Sequence, residues 1–246
     1  PDRRPENAAK ARDWVAQKLA NYGVFSKDDV ADVAASGVPG RRRDFPDRAW
    51  HGTAKALASG PRGDVRSTLD SGLQAEVERI ALTQAEAAGA DVQVSVLVVS
   101  IPTRAVRAIA GSASRDRPGG WLDLTAQARS PGSTLKPFIY AMAFDDGTAA
   151  PDTLISDLPK RFAAYQPENF DRMFRGDVRV SDALQHSLNV PAVMMLDKVG
   201  PERFVAQLAL AGASPRIAGS ASHEAGLAIA LGGAGLTARE LAVLYA

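Results

Sequence analysis

The chain contains no cysteine. Disulfides, thiolate nucleophiles and cysteine-held metals are thereby excluded, whatever compartment the protein occupies. Histidine is scarce as well, and His51, His186 and His223 are scattered without the spacing of a ligand set. An excess of one charge is also missing. The 29 Lys and Arg face 28 Asp and Glu, so a net charge of +1 gives no strong field toward nucleic acid or a membrane surface. No apolar run approaches the ~20 residues of a spanning helix. The longest, from Val92 to Ile101, is interrupted by Gln93, Ser95 and Ser100. No signal peptide is visible. What is present is ordinary for a globular protein: 46% hydrophobic and 23% charged residues over 246 positions, enough for one large domain or two small ones. Both ends read as cut, with Pro1 in place of an initiator Met and an apolar close at Leu241–Ala246.

One further scarcity points to chemistry. The cations comprise 22 arginines and only 7 lysines. One of the lysines, Lys136, stands three residues after Ser133 in Ser130-Pro131-Gly132-Ser133-Thr134-Leu135-Lys136-Pro137-Phe138. After the Pro-Gly turn a helix is expected to begin and to run to about Asp145, where Gly147 stops it. Positions i and i+3 share a helix face, so hydroxyl and amine can meet. A serine needs a base to become a nucleophile. Lysine can be that base once burial lowers its pKa, whereas arginine does not give up its proton. The competing reading is that Ser133 merely caps a helix. The apolar residues Phe138, Ile139, Met142 and Ala143 predict that this helix is buried and central.

Around it, periodicity predicts helices over 5–22, from Ser26 to 35, over 71–88 (apolar face Leu73, Val77, Ile80, Ala81) and over 201–210. Strands are expected over 92–99 and 106–110, joined at Pro102-Thr103. Residues 37–48, with Arg41-Arg42-Arg43, read as a basic turn-rich linker, solvated rather than bound to an anionic surface. A second linker follows at Ser59–Gly63. Residues 111–129, 151–178 and 212–225 read as loops. Ser181 is expected to cap a helix to 188, Asn189-Val190-Pro191 to break it, and a new helix to run from Ala192 to 199. The last stretch, 227–246, reads as helix punctuated by Gly232-Gly233 and Gly235.

Ser187-Leu188-Asn189 lies 54 residues after Ser133, at that break. A hydroxyl and a carboxamide on one tight turn can pass a proton and hold a substrate amide. Alternatively Asn189 caps the next helix. His186 is a poor partner for Ser187, because adjacent helical residues diverge.

Ser-x-x-Lys followed by Ser-x-Asn is the motif order of penicillin-binding proteins and serine β-lactamases. With Tyr165-Gln166-Pro167-Glu168-Asn169-Phe170-Asp171 and Ala183-Leu184-Gln185-His186-Ser187-Leu188-Asn189-Val190-Pro191, residues 64–246 resemble the transpeptidase domain of bifunctional class A penicillin-binding proteins, the 1C subgroup in particular. The resemblance implies an α+β, serine β-lactamase/D,D-transpeptidase-like fold, an antiparallel sheet packed with helices. Residues 1–45 resemble the tail of a glycosyltransferase domain, and 46–63 would be the linker. The implied activity is peptidoglycan cross-linking through a serine acyl-enzyme. Ser133 would be the nucleophile, Lys136 the base, Ser187 the proton relay and Asn189 the holder of the substrate amide. The implied partners are stem peptides and β-lactams, with no nucleic acid. No metal or organic cofactor is implied for this half, although the glycosyltransferase half typically uses a divalent metal. The implied location is extracytoplasmic or periplasmic, on a membrane anchor outside these residues.

The sequence departs from the family in two respects: the catalytic glutamates of a glycosyltransferase domain are expected upstream of Pro1, and the third transpeptidase motif is missing. No Lys-Thr/Ser-Gly occurs, and no lysine follows Lys198. In the family that strand lines the cleft and supplies one of two oxyanion-hole amides, so its absence predicts an open sheet edge and an incomplete site. The alternatives are a β-lactamase or D,D-carboxypeptidase, which passes the acyl group to water, and a sensor or scaffold that acylates without turnover. Residues 1–246 could also be inert although the parent is active.

Overall fold

The computed structural model describes residues 4–38, 48–59, 65–162, 165–217 and 226–246. Most of the basic linker, most of the second linker and the end of the 212–225 loop lie outside the described residues. The chain forms two compact units, Pro1–Asp47 and Arg48–Ala246.

The first unit is a helical pair, α1 (Pro5–Asn21) and α2 (Lys27–Ala35). Pro5 opens α1, where its missing N–H costs nothing. Ser26 and Asp29 form a reciprocal capping box at the start of α2. The Arg12 guanidinium donates to the Ser36 and Ala34 carbonyls and so satisfies the end of α2.

The second unit begins with α3 (Trp50–Ser59), a helix where the sequence reads as linker. Next comes α4 (Ser71–Ala88), capped by the Asp70 side chain on the Leu73 N–H. Its buried face is Gln74, Val77, Ala81 and Ala85, while Leu73 and Ile80 are exposed, so the expected stripe is rotated. Gln74 is the cause. Its side-chain amide donates to the Ile109 carbonyl at 2.8 Å and accepts from the Ile109 N–H at 2.9 Å, pairing like one residue of a strand. The hairpin β1 (Val96–Val99) and β2 (Val106–Ala110) is antiparallel, with Val96 opposite Ala110 and a register shift after Val98. The first strand is four residues shorter than its alternating pattern.

The larger core surrounds α5 (Lys136–Asp145) and α7 (Asn189–Val199), which pack together. Against them lie α6 (Val180–Gln185), α8 (Pro201–Leu210) and the pair β3 (Leu154–Asp157) and β4 (Gly176–Arg179). This strand pair was expected to be loop. Fully buried Leu135, Ile139, Tyr140, Val193, Leu196 and Phe204 belong to one cluster, at ~1.5–3 kcal/mol for each large apolar side chain. Strand β5 (Arg216–Ile217), in a stretch expected to be loop, pairs with β6 (Ala234–Gly235), and a 3₁₀ turn at Ala228–Leu231, β6 and α9 (Ala238–Tyr245) complete the unit where one interrupted helix was expected. Among the described residues no helix is long and apolar enough to cross a membrane.

Candidate active site

The segment carrying Ser133 is pinned from both sides. Arg129 and Leu236 exchange backbone hydrogen bonds at 2.9 Å, and the Ser130 hydroxyl donates to the Gly232 carbonyl at 2.8 Å. Beyond it, the Tyr245 hydroxyl donates to the Thr134 carbonyl at 2.6 Å, and the Tyr245 ring meets Phe138 edge-on. Gly132 (φ +57°) turns the chain into a 3₁₀ turn over Gly132–Leu135, and α5 starts only at Lys136. Ser133 is therefore exposed on a 3₁₀ turn rather than at the first position of the α-helix.

Gly232 lies against this turn with φ +93°, where a Cβ would come within 2.3 Å of Ser130 Oγ and 2.7 Å of the Gly132 nitrogen. Gly232→Ala is expected to cost about 2–3 kcal/mol, from left-handed strain and from displacement of the nucleophile turn. A thermal melt should show a fall of roughly 5–10 °C.

Residues three apart nearly eclipse on a 3₁₀ turn, so Ser133 and Lys136 leave it on the same side. No hydrogen bond joins them, however, and among the described residues the Ser133 hydroxyl has no hydrogen-bond partner. The Lys136 amine turns to the second constellation instead. It donates to the Ser187 carbonyl at 2.6 Å, to Asn189 Oδ1 at 2.7 Å and to Ser187 Oγ at 3.2 Å. Three acceptors match the three protons of an ammonium. Lys136 is 1% exposed, and burial pushes its pKa down from 10.5 to about 8.

The turn that receives this amine has two unexpected features. Ser187 has φ +52°, a left-handed conformation that costs a non-glycine residue about 1–3 kcal/mol. This conformation occurs where the Ser187 carbonyl accepts from Lys136. Helix α6 starts at Val180 without a side-chain cap, so Ser181 is not the cap residue. Helix α7 starts at Asn189, not at 192, and Leu188 occupies its cap position. Pro191 falls in the first turn, where a helix has no use for its N–H. Asn189 is thus not a helix cap. Its Oδ1 faces Lys136 and its Nδ2 donates to the Glu168 carbonyl at 2.7 Å, and its second N–H has no partner among the described residues. The His186 side chain is exposed and makes no hydrogen bond among the described residues.

Asn169 is the site residue that residue chemistry alone passed over. It is 4% exposed, and its Oδ1 accepts the Asn189 backbone N–H at 2.8 Å. Its signal was the stretch Tyr165–Asp171, noted for its wording and assigned no role. A cavity of about 180 Å³ opens beside the turn, lined in part by Asn169, Arg175, His186 and Ser187.

The sequence profile of the penicillin-binding protein transpeptidase domain matches residues 94–225, the stretch that holds Ser133, Lys136, Asn169, Ser187 and Asn189. The chain belongs to this family. Penicillin-binding protein 1C of Escherichia coli is 35% identical over 247 aligned residues, covering 100% of this chain and 32% of that protein. Penicillin-binding protein 1F of Bacillus subtilis is 30% identical over 172 residues, covering 69% of this chain and 23% of its own. The chain thus spans a third or less of the length of these relatives. The structure of penicillin-binding protein PonA1 from Mycobacterium tuberculosis superposes with a TM-score of 0.55 at 20% identity, over 72% of this chain and 48% of that one. The fold is accordingly the α+β fold of the penicillin-binding transpeptidases, here with its helices and small antiparallel strand pairs.

Proposed function

We propose that this chain carries the D,D-transpeptidase centre of a protein that cross-links peptidoglycan. The observation that carries the reading is the buried Lys136 amine, held by Ser187 and Asn189 beside an unencumbered serine. In its neutral form the amine donates to its two short acceptors, and its lone pair faces the Ser187 hydroxyl or, once substrate is bound, Ser133. Ser133 Oγ attacks the carbonyl of the penultimate D-Ala of a stem peptide while Lys136 takes the hydroxyl proton. The Ser133 N–H, which makes no hydrogen bond within the described residues, supports the developing oxyanion. Collapse breaks the amide, and Ser187 passes the proton from Lys136 to the departing D-Ala nitrogen. An amine of a neighbouring stem then attacks the ester, its proton returns along the same path, and Ser133 is restored. The free N–H of Asn189 holds the substrate amide. We place the centre on the outer face of the cytoplasmic membrane, with a glycosyltransferase and an anchor in the full-length protein.

A β-lactam presents the same amide in a ring, so the broken bond releases nothing. Intact-mass spectrometry of the full-length protein, as its gene encodes it, should show a lasting gain of one whole benzylpenicillin, and peptide mapping should place it on Ser133. Absence of any adduct would overturn the reading, and rapid release would make water the acceptor, as in a β-lactamase. The sequence of residues 1–246 contains no Lys-Thr/Ser-Gly, the motif that the resemblance makes the source of a second oxyanion donor, so the same residues alone should acylate ~100- to 1000-fold more slowly.

A further inference from the structure

Behind the site lies a carboxylate that the mechanism above does not use. Asp157, at the end of β3, is completely buried. Its Oδ1 accepts from Asn169 Nδ2 at 2.8 Å, and its Oδ2 accepts from Asn169 Nδ2 at 2.9 Å and from the Arg175 N–H at 3.0 Å. Asn169 Nδ2 also donates to the Met173 carbonyl at 2.8 Å. A carboxylate and a carbonyl accept only, so the Asn169 amide has one possible orientation: its nitrogen faces Asp157 and its oxygen faces the Asn189 N–H. The preceding residue supplies the second grip, because the Glu168 carbonyl takes Asn189 Nδ2. Asn189 is thereby fixed at its backbone and at its side chain, with Oδ1 left facing Lys136 at 2.7 Å. The Tyr140 hydroxyl, one turn after Lys136, is pushed up by burial and by Asp157.

We propose that Asn169, oriented by the buried Asp157 carboxylate, is a positioning residue that sets Asn189 and, through it, the amine of Lys136. The proposal rests on the transpeptidase reading. A segment needed only to close the loop between β3 and β4 would not have to aim its amide oxygen at the first N–H of α7. Nor would it have to bury a carboxylate to hold that aim. Besides Lys136, the titratable groups on the elements that meet here are Tyr140 and Asp145 on α5, Asp157 on β3, Glu168, Asp171, Arg172 and Arg175 around Asn169, Asp182 on α6 with His186 at its end, and Asp197 and Lys198 on α7.

The test is the rate of acylation by a fluorescent penicillin, measured against pH on the full-length protein and normalised to folded molecules by a thermal melt. Wild type comes first, because a wild type that is not acylated overturns the parent reading, whatever the variants do. Asn169→Ala should acylate about 100-fold more slowly, the effect of a misplaced reacting group. The acid limb of its pH profile should also move upward as water reaches Lys136. A purely structural role would lower the melting temperature and leave that limb in place. Asn169→Asp sets two carboxylates face to face and should be as slow. Combining it with Asp157→Asn restores a donor–acceptor pair and should recover at least tenfold over Asn169→Asp alone. A folded Asn169→Ala with the wild-type rate and profile, or a folded double variant no faster than Asn169→Asp, would overturn the proposal.

Discussion

Ser133→Ala is expected to lower β-lactam acylation and stem-peptide cross-linking by about 10⁶-fold, the scale seen when a serine nucleophile is removed from an acyl-transfer site. The loss should be chemical and not structural. Ser133 is exposed, and its hydroxyl makes no hydrogen bond among the described residues, so the melting curve should stay within about 0.5 kcal/mol of wild type. Lys136, Ser187 and Asn189 keep every contact they make with one another. A time course with a fluorescent penicillin on both proteins measures the difference. Labelling of the variant at the wild-type rate would move the nucleophile elsewhere, with Ser187 the nearest candidate by hydrogen bonding.

Lys136→Met should cost about 10³- to 10⁴-fold, the usual contribution of a positioned general base with some loss of order added. Methionine fills the buried stem's volume and removes only the amine. The wild-type pH profile carries the signature. With a pKa of about 8, the amine is neutral, and so competent, in roughly a tenth of molecules at pH 7, and the rate should climb to a plateau above pH 8. The variant's residual rate should be flat over that range. Stability follows the same group. The folded pKa is about 8 against an ordinary 10.5, so between those values the unfolded chain binds the proton and the folded chain does not. Wild-type stability therefore rises with pH across that window. Below pH 8 the burial penalty, about 3 kcal/mol, is fully present. Lys136→Met abolishes this slope, although it leaves the Ser187 and Asn189 acceptors without their donor. Urea melts at pH 7 and pH 10 measure it.

Much of this was legible from local signals. Helix α8 and strand β2 fall where periodicity placed them, and α4 spans the expected 71–88. The two motifs were legible too, and the structure joins Lys136 to Ser187 and Asn189. It does not join Lys136 to Ser133 by a hydrogen bond, because stronger acceptors on the far turn claim the amine. Elsewhere tertiary contacts overrode the pattern. The buried face of α4 is set by Gln74, which reads as polar but serves β2 as a pairing partner. Strands β3 and β4 are four residues each inside a proline-rich stretch, too short for alternation to declare itself. Proline at 191 reads as a breaker, yet it sits in a first turn that spares it. Asp157 gave no signal, since its value lies in contacts made only after folding.

Those contacts have a consequence for how the chain matures. The hydrogen bonds that define the site span 51 and 53 residues from Lys136 to Ser187 and Asn189, 102 from Ser130 to Gly232 and 111 from Thr134 to Tyr245. Each closes a long loop whose entropy is lost before the contact is gained. An emerging or half-assembled polypeptide therefore carries an ordinary serine and a fully protonated lysine. On the transpeptidase reading, nascent chains are expected to be inert toward drug and substrate alike, and the labelled fraction of a sample to be a census of its completely folded molecules.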